Sequence, residues 1–106
     1  MSITIIGINH KTATVSIREQ VAFSPERLRE ALHSAQGIAK ENIILSTCNR
    51  TEVYVADKKE LSPDQLTKWL ADFHNITVDQ LSPYIYHYTD DKAVQHLLRV
   101  AAVWTH

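Results

Sequence analysis

The chain has 106 residues, which is enough for one compact domain with a hydrophobic core and too few for two, so we expect a single domain over residues 1–106. Hydrophobic residues make up 44% and charged residues 22%, a composition typical of ordinary soluble globular proteins. A net charge of −1 argues against a surface that binds phosphate backbones by bulk electrostatics, so any contact with RNA is expected to be local.

Cysteine usage and hydropathy indicate where the protein works. A single cysteine, Cys48, cannot form an internal disulfide, which suits a reducing compartment. No apolar stretch approaches the length needed to cross a membrane, and the first residues lack the basic-then-apolar layout of a secretion signal. We therefore expect a cytoplasmic protein with no membrane partner.

The first third of the chain predicts one strand and one well-marked helix. The run Ile3–Ile8 is rich in β-branched residues and predicts a buried strand. Residues 10–22 are mixed and polar, and we expect a loop there with a turn of helix near Ile17–Val21. Ser24-Pro25 has the chemistry of a helix start, and Gly37 ends the apolar stripe that follows.

The rest of the chain repeats the alternation of strands and helices. Two apolar runs, Ile43–Leu45 and Val53–Val55, predict strands on either side of the cysteine. Ser62-Pro63 repeats the helix-start chemistry. Tyr84–Tyr88 has the residue types of a strand with three tyrosines on one face, and Thr89 can cap a final helix.

This order of elements predicts an α+β fold. Two strand-helix-strand halves with similar helix starts indicate the ferredoxin-like βαββαβ arrangement. We expect an antiparallel four-stranded sheet with the helices packed on one face, plus a C-terminal helix.

The segment between the two central strands carries the strongest chemical signal. Cys48 lies two residues from Arg50, and a nearby positive charge favours the reactive thiolate. The alternative is that a lone cysteine after an apolar run is a small buried hydrophobe. The polar neighbours Ser46, Thr47 and Asn49 favour a functional site, since a core cysteine does not require them.

Five segments of the sequence carry a resemblance to a known family. They are Gly7–Ala13, Arg18-Glu19, Ala22–Pro25, Ser46–Tyr54 and Ala93–Ala101, which cover the chain in order and at family-like spacing. Together they resemble the N-terminal catalytic domain of glutamyl-tRNA reductase. The cysteine motif is the specific one; each of the others would be weak alone.

The resemblance implies a reaction in two steps. A cysteine takes glutamate from glutamyl-tRNA as a thioester, and NADPH then reduces the thioester to glutamate-1-semialdehyde for tetrapyrrole (porphyrin) biosynthesis. No glycine-rich dinucleotide fingerprint follows a strand in this chain, so we expect NADPH to be bound elsewhere in the full-length enzyme. The resemblance also implies a separate dimerisation domain and a homodimeric full-length enzyme.

The resemblance assigns roles to four residues. Cys48 matches the nucleophile. Arg50 matches the residue that holds the glutamate carboxylate; its alternative is a surface arginine, or one paired with Glu52. Thr47 matches a substrate-binding residue, with a turn-stabilising hydrogen bond as the alternative. His96 matches an active-site histidine and is the candidate acid or base, although a histidine on the flank of an apolar stripe is more often core packing.

The sequence departs from the family pattern at two places. Thr14 stands where the family usually has proline, which could loosen the first loop. The ending Ala102–His106 replaces a serine-glycine-leucine run and a later serine that lines the pocket in the family, which puts the closing wall of the pocket in doubt.

Other functions remain as rivals. A metal site from Cys48, His10, His87 and His96 lacks the regular spacing of zinc ligands, so we expect no metal, and we assign His87 no role. A cysteine phosphatase would need an arginine farther from the cysteine and a glycine-rich loop. A non-catalytic ferredoxin-like module that binds a ligand or a protein is the main alternative. An RNA-binding sheet that uses the three tyrosines ranks last.

Overall fold

Four β-strands and five α-helices make up the part of the chain that the structure describes. This computed structural model describes residues 2–105, with the side chains of residues 2–102. The elements are β1 (Ser2–Asn9), α1 (Val15–Val21), α2 (Pro25–Ala35), β2 (Glu41–Ser46), β3 (Arg50–Asp57), α3 (Pro63–Phe73), α4 (Val78–Leu81), a 3₁₀ turn (Ser82–Tyr84), β4 (Tyr86–Thr89) and α5 (Asp90–Thr105).

The strands form one antiparallel sheet in the order β2-β3-β1-β4, which confirms the predicted ferredoxin-like arrangement. In the register, Asn9 at the end of β1 is opposite Arg50 at the start of β3. Gly7 is opposite Glu52 on one side and Tyr86 on the other. The β2–β3 connection, the end of β1 and the start of β4 therefore lie at one end of the sheet, which we call the Cys48 end.

Helices cover both faces of the sheet, and the alternation of side chains along β1 explains how. Ile6 and Ile8 are fully buried in a core shared with residues of α1, α2, α3 and α4. Ile5 points to the opposite face, where it packs with Tyr54 and with Ala93 of α5. The predicted helices thus pack on one face, and the C-terminal helix covers the other.

Side-chain caps explain where the helices of the main core begin. Ser24 accepts a hydrogen bond from the backbone N–H of Arg27 at the start of α2. Ser62 and Gln65 form a reciprocal capping box at the start of α3, so both predicted helix starts are confirmed. Thr14 also caps a helix, since its hydroxyl accepts from Ile17. The residue that was expected to loosen the first loop therefore has a defined structural role.

The segment before α5 differs from the prediction. Tyr84 lies in a 3₁₀ turn instead of a strand, and it packs with Ile85 against the core of α1–α4. Pro83 favours this turn and cannot donate to a strand ladder, so β4 begins only at Tyr86. The prediction of three tyrosines on one strand face is therefore wrong, because only Tyr86 and Tyr88 share that face.

The start of α5 is tied back to the sheet. Thr89, the predicted cap, is the last residue of β4, and Asp90 begins the helix with a φ of 50°. The Asp90 carboxylate accepts a hydrogen bond from the backbone N–H of Ile3 at 3.1 Å. The side chains of residues 103–106, where the sequence departs from the family pattern, lie outside the described set. No helix among the described residues is long and apolar enough to cross a membrane.

Candidate active site

The β2–β3 turn presents Cys48 to solvent. The backbone N–H of Thr47 donates to the carbonyl of Arg50 at 2.8 Å, which closes the turn. The Thr47 hydroxyl accepts from the backbone N–H groups of Asn49 and Arg50, both at 3.2 Å. These bonds fix the turn with Cys48 at its tip, and Cys48 is exposed. The alternative of a buried structural cysteine is therefore wrong.

Thr47 has the turn-stabilising role that was the alternative to substrate binding, and this limits how it can bind a substrate. Its backbone N–H is engaged within the turn, so it is not available to a substrate. The hydroxyl accepts two hydrogen bonds but keeps its own proton, which can be donated. As a hydrogen-bond donor to a bound ligand, Thr47 therefore has only its hydroxyl.

A buried carboxylate organises the face of the sheet beneath α5. Glu52 is fully buried, and its carboxylate accepts hydrogen bonds from the hydroxyls of Tyr54 and Tyr86. Nε2 of His96 lies 2.5 Å from Oε2 of the same carboxylate, and Nη1 of Arg50 lies 3.5 Å from it. An unpaired buried carboxylate would be strongly destabilising, and these four partners explain how Glu52 is accommodated.

Gly7 provides the space in which this cluster forms. A Cβ at Gly7 would lie 2.8 Å from Cγ of Glu52, 2.8 Å from Oη of Tyr86 and 2.9 Å from its Cζ. Real side chains do not approach that closely, so only glycine lets the neighbouring strands bring these two side chains together over β1. A glycine inside a strand often marks a close approach of this kind.

His96 is held in place by its neighbours from two directions. Its ring stacks on Tyr88 with 4.7 Å between centroids and lies 5.5 Å from the ring of Tyr86. Nε2 is bound to Glu52, and the side chain is 10% exposed. The ring therefore has a fixed orientation, with Nδ1 as the nitrogen that does not face the carboxylate.

Burial, together with the same carboxylate, keeps two tyrosines protonated. Burial raises the pKa of Tyr86, and its hydrogen bond to Glu52 raises it further. Burial raises the pKa of Tyr54 as well, followed by its own hydrogen bond to Glu52. Both phenols are therefore fixed donors, because a phenolate beside a carboxylate would place two negative charges together in a buried site.

Of the four predicted site residues, the structure brings Arg50 and His96 together, while Thr47 and Cys48 lie in the turn that leads into Arg50. Arg50 and His96 both contact Glu52, so they share one cluster. Cys48 is two residues before Arg50 at the same end of the sheet, and no hydrogen bond within residues 2–102 joins it to Arg50 or His96. His10 follows Asn9, the partner of Arg50 in the register, so it also lies at the Cys48 end.

The remaining expectations concern the other histidines and the sheet surface. His87 is exposed and lies on the strand face opposite Tyr86 and Tyr88. No group of three side chains among the described residues could hold a metal ion. Tyr86 and Tyr88 pack against His96 of α5, so this face is not an open aromatic surface for stacking RNA bases.

Glu52 is the residue that the sequence analysis missed. It entered only as a possible partner of Arg50, because a glutamate in an alternating strand usually faces solvent. Two signals were available in the sequence. Glu52 alternates with Arg50 and Tyr54, so the three share one face, and Gly7 interrupts an otherwise β-branched strand.

Comparisons with known proteins agree with one another. The family model described as "Glutamyl-tRNAGlu reductase, N-terminal domain" matches residues 6–103. The chain is 51% identical over 104 residues to the glutamyl-tRNA reductase of Thiobacillus denitrificans, covering 96% of this chain and 24% of that protein. It is 48% identical over 103 residues to the glutamyl-tRNA reductase of Aliivibrio salmonicida, covering 95% and 25%.

A solved structure is similar as well. Glutamyl-tRNA reductase from Methanopyrus kandleri matches with a TM-score of 0.64 and 27% identity, over 93% of this chain and 22% of that chain. The chain thus spans about a quarter of the length of the curated relatives that it matches.

Proposed function

We propose that this chain, which belongs to the N-terminal domain family of glutamyl-tRNA reductase, takes glutamate from glutamyl-tRNA as a thioester on Cys48. The observation that carries the proposal is the exposed thiol of Cys48 at the tip of an ordered turn, two residues from a guanidinium. An accessible sulfur is the first requirement for attack on a macromolecular ester, and a cysteine sealed in the core could not meet it.

The proposed step is an acyl transfer. The thiol loses its proton, and Sγ of Cys48 attacks the carbonyl carbon of the ester between glutamate and the terminal ribose. A C–S bond forms, the C–O bond to the ribose breaks, and the ribose oxygen takes up a proton as the tRNA leaves. The glutamyl group remains as a thioester, which accepts hydride more readily than an oxygen ester does.

Arg50 is the proposed ligand for the carboxylate of the glutamyl side chain. Its side chain is 19% exposed, and its contact with Glu52 at 3.5 Å involves a single nitrogen and is long for a hydrogen bond. A guanidinium has five N–H donors, so most of the planar fork is available for a second carboxylate. Thr47 can add a hydroxyl donor beside it.

His96 is the proposed acid or base of the transfer. Its Nε2 is committed to Glu52, so proton exchange with the thiol or the leaving ribose oxygen would use Nδ1. The carboxylate holds the imidazole in one orientation. Glu52 thus acts as a positioning residue, since its carboxylate contacts both His96 and Arg50.

The reduction requires a dinucleotide site, which the described residues do not provide. The two glycines of the chain do not form a dinucleotide site, because Gly7 lies within β1 against Glu52 and Gly37 follows a helix instead of preceding one. The described residues therefore do not fit NADPH. We propose that NADPH binding and dimerisation belong to the part of the relatives that this chain does not span, in a cytoplasmic enzyme of tetrapyrrole biosynthesis.

The test is transfer of labelled glutamate to the protein. We expect glutamyl-tRNA with labelled glutamate to label the wild type and to leave Cys48→Ala unlabelled. Arg50→Gln should lower the second-order rate of labelling at least about tenfold, the factor for about 1.4 kcal/mol of lost charge-assisted hydrogen bonding.

Arg29→Gln is the matched control, because Arg29 is an exposed arginine on α2, away from the strands of the site. It should label at the wild-type rate. Equal labelling of the wild type and Cys48→Ala, or none on either, would refute acyl transfer. Such a result would favour the non-catalytic binding module.

A further inference from the structure

The two ends of the sheet carry opposite charge. At the Cys48 end, the strand ends and adjoining residues (9–14, 46–50 and 82–86) contain Lys11, Arg50 and His10, and no aspartate or glutamate. The corresponding segments at the other end (37–41, 57–61 and 89–91) contain three lysines and five carboxylates. The Cys48 end therefore has a locally positive surface, although the net charge of the chain is −1.

Lys11 supplies the uncompensated charge of this surface. Arg50 is already paired with the buried Glu52. Lys11 is exposed, and the four ion pairs formed among the described residues do not include it. An ammonium group without a partner at the end of a sheet is available to an external anion.

The turn that carries Lys11 is ordered. The Asn9 carboxamide oxygen accepts from the backbone N–H of Lys11 at 2.9 Å and of Thr12 at 3.2 Å, and the backbone N–H of Asn9 donates to the Thr12 hydroxyl at 3.1 Å. Asn9 is also the register partner of Arg50. Lys11 follows Asn9 by two residues, and Cys48 precedes Arg50 by two residues. The length of these two short segments therefore limits the distance between the Cα atoms of Lys11 and Cys48 to about 20 Å.

We propose that Lys11 binds a phosphate of the single-stranded 3′ end of the tRNA. This inference rests on the proposed function and extends it to the RNA part of the substrate. The ester that Cys48 would attack belongs to the terminal nucleotide, whose own 5′ phosphate must arrive at the Cys48 end with it. A lysine acts as a flexible point charge, so it can bind a phosphate without requiring one fixed hydrogen-bond geometry.

The experiment measures binding of RNA independently of acylation. The probe is an uncharged, fluorescent RNA hairpin with a single-stranded 3′ tail, followed by anisotropy from low to moderate salt. Lys11→Gln should bind about three- to tenfold more weakly than the wild type at low salt, with a salt slope that is smaller by about 0.7, the value for one single-strand phosphate contact. Lys11→Arg should keep both the affinity and the slope.

Lys58→Gln is the matched control, because Lys58 is an exposed lysine at the opposite end of the sheet. It should bind as the wild type does. Equal effects of Lys11→Gln and Lys58→Gln, or no binding by the wild type, would overturn the inference. The labelling experiment with glutamyl-tRNA separates the two proposals: a Lys11-dependent affinity without labelling of Cys48 would support the phosphate contact and refute acyl transfer.

Discussion

Substitution of Gly7 by alanine tests whether the buried cluster depends on the close approach of β3 and β4 over β1. The new Cβ would lie 2.8 Å from Cγ of Glu52 and 2.9 Å from Cζ of Tyr86. Carbon atoms prefer about 3.5–4.0 Å, so the neighbours must retreat by about 0.6 Å or more. Glu52 is fully buried and the Tyr86 ring is packed against His96, so neither can move without loss of contacts.

The magnitude follows from three contributions. Overpacking in a core costs about 1–3 kcal/mol. Weakening of the hydrogen bond between Tyr86 and the Glu52 carboxylate costs about 1.5–3 kcal/mol if it is lost completely. Alanine in place of glycine restricts the unfolded chain, which stabilises the folded protein by about 0.4–1 kcal/mol. We expect Gly7→Ala to lower the free energy of unfolding by about 2–4 kcal/mol in urea titrations followed by circular dichroism.

Gly37→Ala is the control, because its Cβ would meet only the carbonyl oxygen of Ser34 at 3.2 Å. Its free energy of unfolding should change by less than about 1 kcal/mol. The double variant Gly7→Ala/Tyr86→Phe removes the nearest oxygen and should cost less than the sum of the single variants. Equal stability of Gly7→Ala and Gly37→Ala, or strict additivity of the double variant, would refute the reasoning.

Three further measurements test other parts of the structure. Burial and hydrogen bonding raise the folded-state pKa values of Tyr54 and Tyr86, so the free energy of unfolding should fall as pH rises above about 10. The phenolate absorbance of these two tyrosines should appear together with unfolding. Absorbance that develops fully in the folded protein would contradict this prediction. Burial, and then a nearby arginine charge, lower the pKa of His74 to about 4. Protonation of this residue as pH falls from 6.5 to 4 should therefore lower the free energy of unfolding by at most about 3 kcal/mol. His74→Gln should remove that part of the pH dependence while the exposed His33→Gln should not, as measured by urea unfolding at each pH. Ser62→Ala should lower stability by about 1 kcal/mol in the same assay, and an unchanged midpoint would show that the capping box contributes nothing.

Most of the fold could be predicted because local chemistry and global topology agree. The β-branched run of β1, the serine-proline helix starts and the apolar stripes each specify one element, and their order specifies the sheet. The prediction was wrong at Tyr84, where tyrosine-rich composition indicated a strand. Pro83 competes with that tendency, and the resulting turn carries Tyr84 into the other core.

The site could be predicted only in part, for a different reason. Cys48, Arg50 and Thr47 are close in sequence, so one motif reveals them together. The contact of Glu52 with His96 spans 44 residues of the chain and depends on the packing of α5 over the sheet. The spacing of residues in the sequence does not predict such a contact. The space at Gly7 that permits it can be recognised only when the pairing register of β1 with β3 and β4 is known.

The most direct measurement of the central claim is the mass of the intact protein after incubation with glutamyl-tRNA. We expect one glutamyl group to be added, peptide mapping to place it on Cys48, and hydroxylamine to remove it, as it does with thioesters. An unmodified mass for wild-type protein whose Cys48 reacts readily with a small alkylating reagent would contradict the claim, since the sulfur would then be accessible and still unable to take the acyl group.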